Sequence, residues 1–137
     1  MKIKKLNYNE DDSLNDLKKL LSDSPVSRNT FRYFEKRSLF SILNHVYTAL
    51  YYNENQELIG YGHLDGEDGK IWLGILVSDN YQNLGYGNFI MDDLLGVTDE
   101  PIFLSVDINN IKAQNLYKKK NFVQIESDSK KIIMLKK

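Results

Sequence analysis

Val77-Ser78-Asp79-Asn80-Tyr81-Gln82-Asn83-Leu84-Gly85-Tyr86-Gly87-Asn88 decides how this chain is read. Upstream, Lys70 to Val77 carries apolar residues on both faces (Ile71, Trp72, Leu73, Ile75, Leu76, Val77), as a central strand does. Downstream, Phe89, Ile90, Leu94 and Leu95 recur at helical spacing up to Gly96. A strand therefore runs through a tight, glycine-bearing loop into a helix. The N–H groups of a first helical turn lack intrahelical partners and lie at the positive end of the helix dipole, so they form an anion site. Gly85 and Gly87 have no Cβ to keep a phosphate from the backbone, and a diphosphate suits the space. On these residues alone, an ordinary loop with two turn glycines is the competing reading. A dinucleotide fingerprint needs a third glycine where Asn88-Phe89-Ile90 stands, and a nucleotide P-loop needs Gly-Lys-Ser/Thr, which is absent.

Working back from the loop, the pattern has period two. Val46 to Tyr52 is rich in strand formers, Asn53 to Gln56 is a turn, and Glu57 to Asp65 is a strand containing Gly60 and Gly62. Gly66-Glu67-Asp68-Gly69 brings an Asp-Gly pair, the signal of a hairpin, before Lys70. These strands form a three-strand antiparallel meander. Earlier still, Lys2 to Leu6 alternates as a short strand. Asp11-Asp12-Ser13 offers a cap to a helix carrying Leu14, Leu17, Leu20 and Leu21, which should stop before Pro25. Arg28 to Leu43 fits helical spacing only loosely. It is either an amphipathic helix with a charged outer face or one wall of a substrate pocket.

Forward from the loop, Ile102 to Val106 is a strand. Asn109-Asn110 opens a helix with Ala113, Leu116 and Tyr117 on one face, and Phe122 to Ile125 and Ile132 to Leu135 close the chain as strands. The fold class is α/β (α+β): one domain over residues 1–137, a mixed, mostly antiparallel sheet of about six to seven strands flanked by about four helices.

Bulk properties narrow the function. The chain has 137 residues, enough for one core without a disulfide or metal staple. No Cys is present, which excludes a thiol nucleophile, a disulfide framework and a thiolate zinc site. Neither His45 nor His63 has a partner at metal-ligand spacing, so no metal is expected. With 18 basic and 19 acidic residues the net charge is −1, without the basic excess of a nucleic-acid binder. Lys118-Lys119-Lys120 and Lys136-Lys137 read as a solvated helix end and tail. No membrane span or signal peptide is visible, and the expected location is the cytoplasm.

Two motifs together carry a resemblance. Gln82, Gly85 and Gly87 match a Q/R-x-x-G-x-G/A loop. Asn110, Ala113, Leu116 and Tyr117 match a later N-x-x-A-x-x-L-Y that precedes a Gly-Phe pair. In this pairing the chain resembles the GNAT superfamily of N-acetyltransferases. The element order matches over essentially the whole chain, most strongly from Ile59 to Phe122. Asn121 departs from the pattern, standing where the family has Gly, but Asn tolerates the left-handed conformation of a helix end.

The resemblance implies an acetyl-CoA-dependent N-acetyltransferase acting by direct attack of an amine in a ternary complex. It implies a pyrophosphate held by Gln82, Asn83, Leu84, Gly85, Tyr86, Gly87 and Asn88. It also implies a pantetheine arm paired to the main chain of Ile75, Leu76 and Val77, and contacts from Asn110. Tyr117 stands where the family places a general acid for the leaving thiolate, although a core aromatic would occupy the same position. The strand Lys70 to Gly74 lacks the Glu that many relatives use as base. His63 and Asp65, two residues apart on one strand face, are the candidates, with water relay and a purely structural His63 as alternatives.

For the acceptor, Arg28, Phe31 and Arg32, with His45 and Asp65, suggest a site in which arginine forks hold phosphate or carboxylate and aromatic faces stack. That points to an amino sugar on a nucleotide carrier, with a protein N-terminus or a small amine also open. A non-catalytic acyl-CoA-binding module of the same fold is the alternative function. The reading leaves room for a homodimer.

Overall fold

A computed structural model describes residues 1–8 and 11–137, with the side chains of all of these except Asp11 and Asp12. The cap expected at Asp11 and Asp12 lies outside the described side chains. In chain order the elements are β1 (Lys2–Lys5), α1 (Asp11–Ser22), a single-turn α2 (Tyr33–Lys36), β2 (His45–Tyr52), β3 (Leu58–Glu67), β4 (Lys70–Val77), α3 (Tyr86–Leu95), β5 (Ile102–Asp107), α4 (Ile111–Lys119), β6 (Val123–Ser127) and β7 (Lys131–Lys136). Short 3-10 turns sit at Ser27–Asn29, Leu39–Asn44 and Asp79–Tyr81.

The strands form one sheet in the order β1-β2-β3-β4-β5-β7-β6. Every neighbouring pair is antiparallel except β4 with β5. The Asp68-Gly69 turn between β3 and β4 has φ of 54° and 73°, the paired positive values that a tight hairpin needs to match strand twist. β3 carries glycine where α3 crosses it. A Cβ on Gly60 would lie 2.7 Å from Ile90 Cδ1, and one on Gly62 2.9 Å from Ile90 Cγ2.

The sheet buries both faces. On one, Ile90, Met91 and Leu94 of α3 and Tyr117 of α4 pack with Leu104, Phe122 and Met134. On the other, Leu17 and Leu20 of α1 pack with Phe31, Leu50, Tyr61 and Leu76. Leu17 and Leu20 are 0% and 2% exposed. Burial of such a side chain contributes about 1.5–3 kcal/mol, enough to dock an otherwise marginal helix.

Arg28 to Leu43 is not one helix. The chain leaves helical geometry at Arg37, which is extended at φ −132° and ψ 146° and reaches Glu67 on β3 with its guanidinium. Tertiary anchoring of Phe31 and Ile42 in the core wins over the weak local periodicity. The helix after the loop also begins later than the run following Asn80 suggests. Asn83 (φ 63°) and Gly85 (φ 85°) are left-handed, so α3 starts at Tyr86.

The feature that positions the site is the parallel pair. β4 and β5 are in register only at Ile71↔Ile102 and Trp72↔Phe103, and beyond these residues the strands part. Their ends, at Val77 and Asp107, flank an opening in the sheet.

Candidate active site

The opening is a cleft of about 900 Å³, walled by Ile75, Leu76 and Val77 of β4, Ser105 to Asp107 of β5, the Gln82–Asn88 loop and the inner face of α4. The α3 N-terminus points into it. Its N-cap, Gly85, makes no side-chain capping bond, so the first-turn amides are left for a ligand. The protein's own packing explains only part of the glycine pattern. Gly85 needs its positive φ, yet a Cβ there would meet nothing within 4 Å, and one on Gly87 would meet only side chains, at 3.6 Å and 3.9 Å. The space above this loop is thus not filled by the protein's own side chains.

A knot of hydrogen bonds holds the rim. The Asp79 carboxylate accepts from the N–H of Val26 (2.9 Å) and Ser27 (2.7 Å) and approaches Ser27 Oγ at 2.7 Å. Ser27 Oγ also lies 2.6 Å from the carbonyl of Val77. Burial pushes the Asp79 carboxyl up, but Ser27, these amides and the Arg28 charge outweigh it and hold it below its ordinary value. Gln82 lines the cleft, but its amide is turned to the knot: Nε2 donates to Ser27 Oγ (3.0 Å) and to the Val77 carbonyl (2.8 Å). Across the cleft, Asn110 caps α4 by accepting from Ala113 N–H at 3.2 Å. Gln114 is 7% exposed and donates to the carbonyls of Asp107 and Ile108, pinning the end of β5. Lys112 reaches from α4 to the Asn83 side chain.

Tyr117 lines this cleft although its side chain is largely buried. Burial raises its phenol to about 12, and no hydrogen bond engages it among the described residues. It is thus a protonated hydroxyl at neutral pH. Of the loop and strand residues singled out for the donor side, Ile75, Leu76, Val77, Gln82, Asn83, Gly85, Tyr86, Gly87, Asn88, Asn110 and Tyr117 line the cleft. Leu84 does not; it is 63% exposed and points away.

A second cavity, of about 420 Å³, shares Thr30, Ser105 and Asp107 with the first. Phe31, Arg32 and Asp65 line it, while Arg28, His45 and His63 do not. Arg28 Nε is buried with no hydrogen-bond partner. Arg32 is paired two-fold with Asp107, at 2.8 Å and 3.1 Å. That hydrogen bonding, strengthened by charge, raises the guanidinium and holds the Asp107 carboxyl low. Arg37 lies 4.5 Å over the Tyr33 ring and 3.4 Å from Glu67. Of the two arginine forks expected to face a ligand, Arg32 is therefore already engaged by a carboxylate of the protein, whereas Arg28 lines neither cavity and keeps an unpartnered Nε.

His63 stands behind the wall of this cavity. It is 2% exposed, shares a hydrogen bond with Tyr61 through Nδ1 at 2.7 Å, and packs its Nε2 against Gly74, where a Cβ would lie 2.4 Å away. Burial, with the neighbouring His45 and Arg37, holds it neutral well below its ordinary value. The base role expected of His63 has no direct approach from either cavity.

His45 is hidden too, but it belongs to a chain of hydrogen bonds that ends at the surface of the cavity. Its Nδ1 lies 2.7 Å from Thr48 Oγ1 and its Nε2 2.8 Å from Tyr33 Oη, and Tyr33 donates to Asp65 Oδ2 at 2.8 Å. Tyr33 spends its one proton on Asp65, so its oxygen accepts from His45 Nε2–H, and His45 Nδ1 in turn accepts from Thr48. That order requires a neutral His45, and burial together with Arg37 lowers it to about 4. Burial first, then Asp65, raises the Tyr33 phenol.

Tyr33, Ser27, Lys112, Gln114 and Asp107 were not singled out by sequence. For Asp107 a signal existed: it ends a strand beside a parallel neighbour, where open α/β sheets place ligands. Among the described residues no helix is long and apolar enough to cross a membrane, and no group of three or more His, Cys, Asp or Glu is placed to hold a metal ion.

The family model for the acetyltransferase (GNAT) family matches residues 14–122. No curated protein matches in sequence. The chain is similar in structure to an acetyltransferase of GNAT family from Staphylococcus aureus Mu50 (20% identity, 98% of each chain, TM-score 0.70). It is also similar to a ribosomal-protein-alanine N-acetyltransferase from Brucella melitensis (14% identity, 99% of each chain, TM-score 0.75). A mutant of spermidine N-acetyltransferase from Vibrio cholerae shares 16% identity over 98% of this chain and 94% of that one, with TM-score 0.70. At these identities the similarity is one of fold.

Proposed function

This chain belongs to the acetyltransferase (GNAT) family and is thereby an acyltransferase; from that premise we propose that it moves the acetyl group of acetyl-CoA onto a primary amine by direct attack in a ternary complex. One observation carries the proposal. The parting of β4 from β5 opens a cleft onto the N-terminus of α3, with Tyr117 among its lining residues.

When bound, acetyl-CoA supplies a thioester acyl group open to attack by a neutral amine. The residues of this chain supply the rest. Amides of the Gly85–Asn88 turn hold the diphosphate, aided by the helix dipole, and Lys112 stands within reach of the same loop. The main chain around Ile75, Leu76 and Val77 has no β5 partner, and apart from the Val77 carbonyl, which Ser27 and Gln82 hold, it offers an edge to the amides of an extended arm. N–H groups of this edge near Leu76 can donate to the developing oxyanion. Tyr117 keeps its proton at neutral pH and holds it for the departing thiolate. With no Cys in the chain, no thiol intermediate is formed.

The second cavity, joined to the first at Thr30, Ser105 and Asp107, is the acceptor side in this reading. A sugar nucleotide acceptor would need arginines free to fork onto phosphate. Arg32 is paired with Asp107 and Arg37 contacts Glu67, so support for that acceptor rests on Arg28, whose Nε has no partner. The test is CoA-thiol release with a panel of amines in the wild type and Tyr117→Phe. Amine-dependent release, suppressed in the variant, supports the reading. Firm acetyl-CoA binding without release on any amine would reduce the chain to a binding module.

A further inference from the structure

Asp65 is 5% exposed, yet it lines the acceptor cavity. Its Oδ2 accepts from Tyr33, while Oδ1 has no hydrogen-bond partner among the described residues. The other two carboxylates of the cavity, Glu67 and Asp107, are each paired with an arginine. The remaining cations on its lining, Lys36 and Lys131, are exposed at the rim. Asp65 Oδ1 is not sealed in the core but opens on the cavity, where a cationic group of a ligand can pair with it. Trp72, the register partner of Asp65, lines the same cavity and packs its ring 5.4 Å from that of Phe103.

The position of Asp65 determines which cation it serves. It pairs with Trp72, where β4 and β5 are still joined, whereas the donor cleft is walled by Ile75 to Val77. Three strand residues separate the two points, a distance of about 10 Å. A cation held at Asp65 is too far from that edge to be the nitrogen that is acetylated.

Resting on the acetyltransferase reading above, we propose that the acceptor is a small diamine whose second, unreacted ammonium is held by Asp65 Oδ1 against Trp72, with Tyr33 and His45 as the positioning residues that orient the carboxylate. The reacting amine lies toward the shared wall of Thr30, Ser105 and Asp107, and the second ammonium at the far end fixes its reach.

The test compares two series, aliphatic diamines from diaminopropane to diaminooctane and their monoamine counterparts, as acceptors of acetyl-CoA in the full chain. It also measures calorimetric binding of each diamine to the protein with CoA present. The best diamine should exceed its monoamine in kcat/KM by about tenfold or more, the effect of one charge-assisted hydrogen bond. Asp65→Asn should abolish that advantage, lowering kcat/KM on diamines about tenfold more than on monoamines. Asp65→Glu should restore part of it, and Tyr33→Phe should reduce it. Equal use of monoamines and diamines by the wild type would overturn the subsite and leave the transferase standing, as would an equal loss on both series in Asp65→Asn. Asp65-dependent binding of diamines with no acetylated product would keep the subsite and sink the transferase. Absence of both binding and product would sink both.

Discussion

The backbone N–H of Phe122 donates to the carbonyl of Tyr117 at 3.1 Å, and the two rings pack at a 60° tilt with centroids 6.0 Å apart. With Asn121 N–H on the Lys118 carbonyl, at 3.1 Å, this completes a Schellman ending for α4, whose left-handed residue is Asn121 at φ 72°. The phenol proposed as general acid is therefore positioned by the way its helix stops. Glycine removes the residual cost of the left-handed conformation, so Asn121→Gly should stabilise the fold by about 0.5–1 kcal/mol. Asn121→Val should destabilise it by about 1–2 kcal/mol and lower turnover as the ending loosens. Denaturant midpoints of the two variants, read with kcat, check both.

Removing the Tyr117 hydroxyl should lower kcat by about 10²–10⁴-fold, the usual contribution of a positioned acid, with little change in acetyl-CoA affinity. The pH profile gives an independent check. Burial raises this phenol to about 12, so it stays protonated throughout the alkaline range of an ordinary assay. Wild-type kcat should show no fall assignable to Tyr117 between neutrality and about pH 10, the ordinary tyrosine value. A decline centred near that value would place the acid elsewhere.

His45 and His63 make the fold acid-sensitive. Both are held neutral, His45 at about 4 and His63 well below its ordinary value. In the unfolded chain each takes a proton near pH 6.5. Their depressed folded values add stability that is complete above the unfolded value and is lost as pH falls toward the folded one. The thermal midpoint should therefore decline from about pH 6.5 to 4. His45→Gln, which keeps polar atoms in the Thr48–Tyr33 chain but cannot titrate there, should flatten part of that decline. An unchanged slope in His45→Gln would contradict the account.

Asp79 ties the Ser27 turn to the end of β4, the edge proposed to receive the donor's arm. Asp79→Ala leaves the amides of Val26 and Ser27 without their acceptor and should destabilise the fold by about 1–3 kcal/mol. It should also raise the acetyl-CoA KM, since the Val77 rim loses its anchor. Denaturant unfolding and steady-state kinetics measure the two effects separately.

Gly87 separates packing from binding. A Cβ there meets only Leu116 and Val77 side chains at ordinary contact distance, so Gly87→Ala should fold with a change of about 1 kcal/mol or less. Gly87→Glu should fold as well, yet lose the ligand-induced rise in thermal midpoint, because its carboxylate enters the cradle. At a hundred-fold excess over the dissociation constant, a ligand adds about 2.7 kcal/mol in the wild type. A full rise in Gly87→Glu would remove the diphosphate from this loop.

The parts of the molecule legible in sequence were those set by neighbours along the chain. Asp68-Gly69 announces its hairpin, Gly85 and Gly87 their loop, and Asn110 its helix cap, because each acts within a few residues. The contacts that shape the two cavities are long-range and leave no local period. Arg32 meets Asp107 across 75 positions and Ser27 meets Asp79 across 52. His63 and Asp65 share a strand face, as their spacing requires, but their fates differ. His63 is seated over Gly74, its register partner, and only the pairing of β3 with β4 reveals that recess. Arg28 to Leu43 defeated periodicity because packing of Phe31 and Ile42, not helix propensity, sets its path.

The most direct test of the central claim is CoA-thiol release by the wild-type chain from acetyl-CoA, with and without a panel of primary amines, with acetylated amine quantified by mass in the same samples. The account predicts release that depends on an amine and equals the acetylated product mole for mole. Release that is the same without amine, or none on any amine while acetyl-CoA binds the cleft, would contradict transfer to an amine as the work of this site.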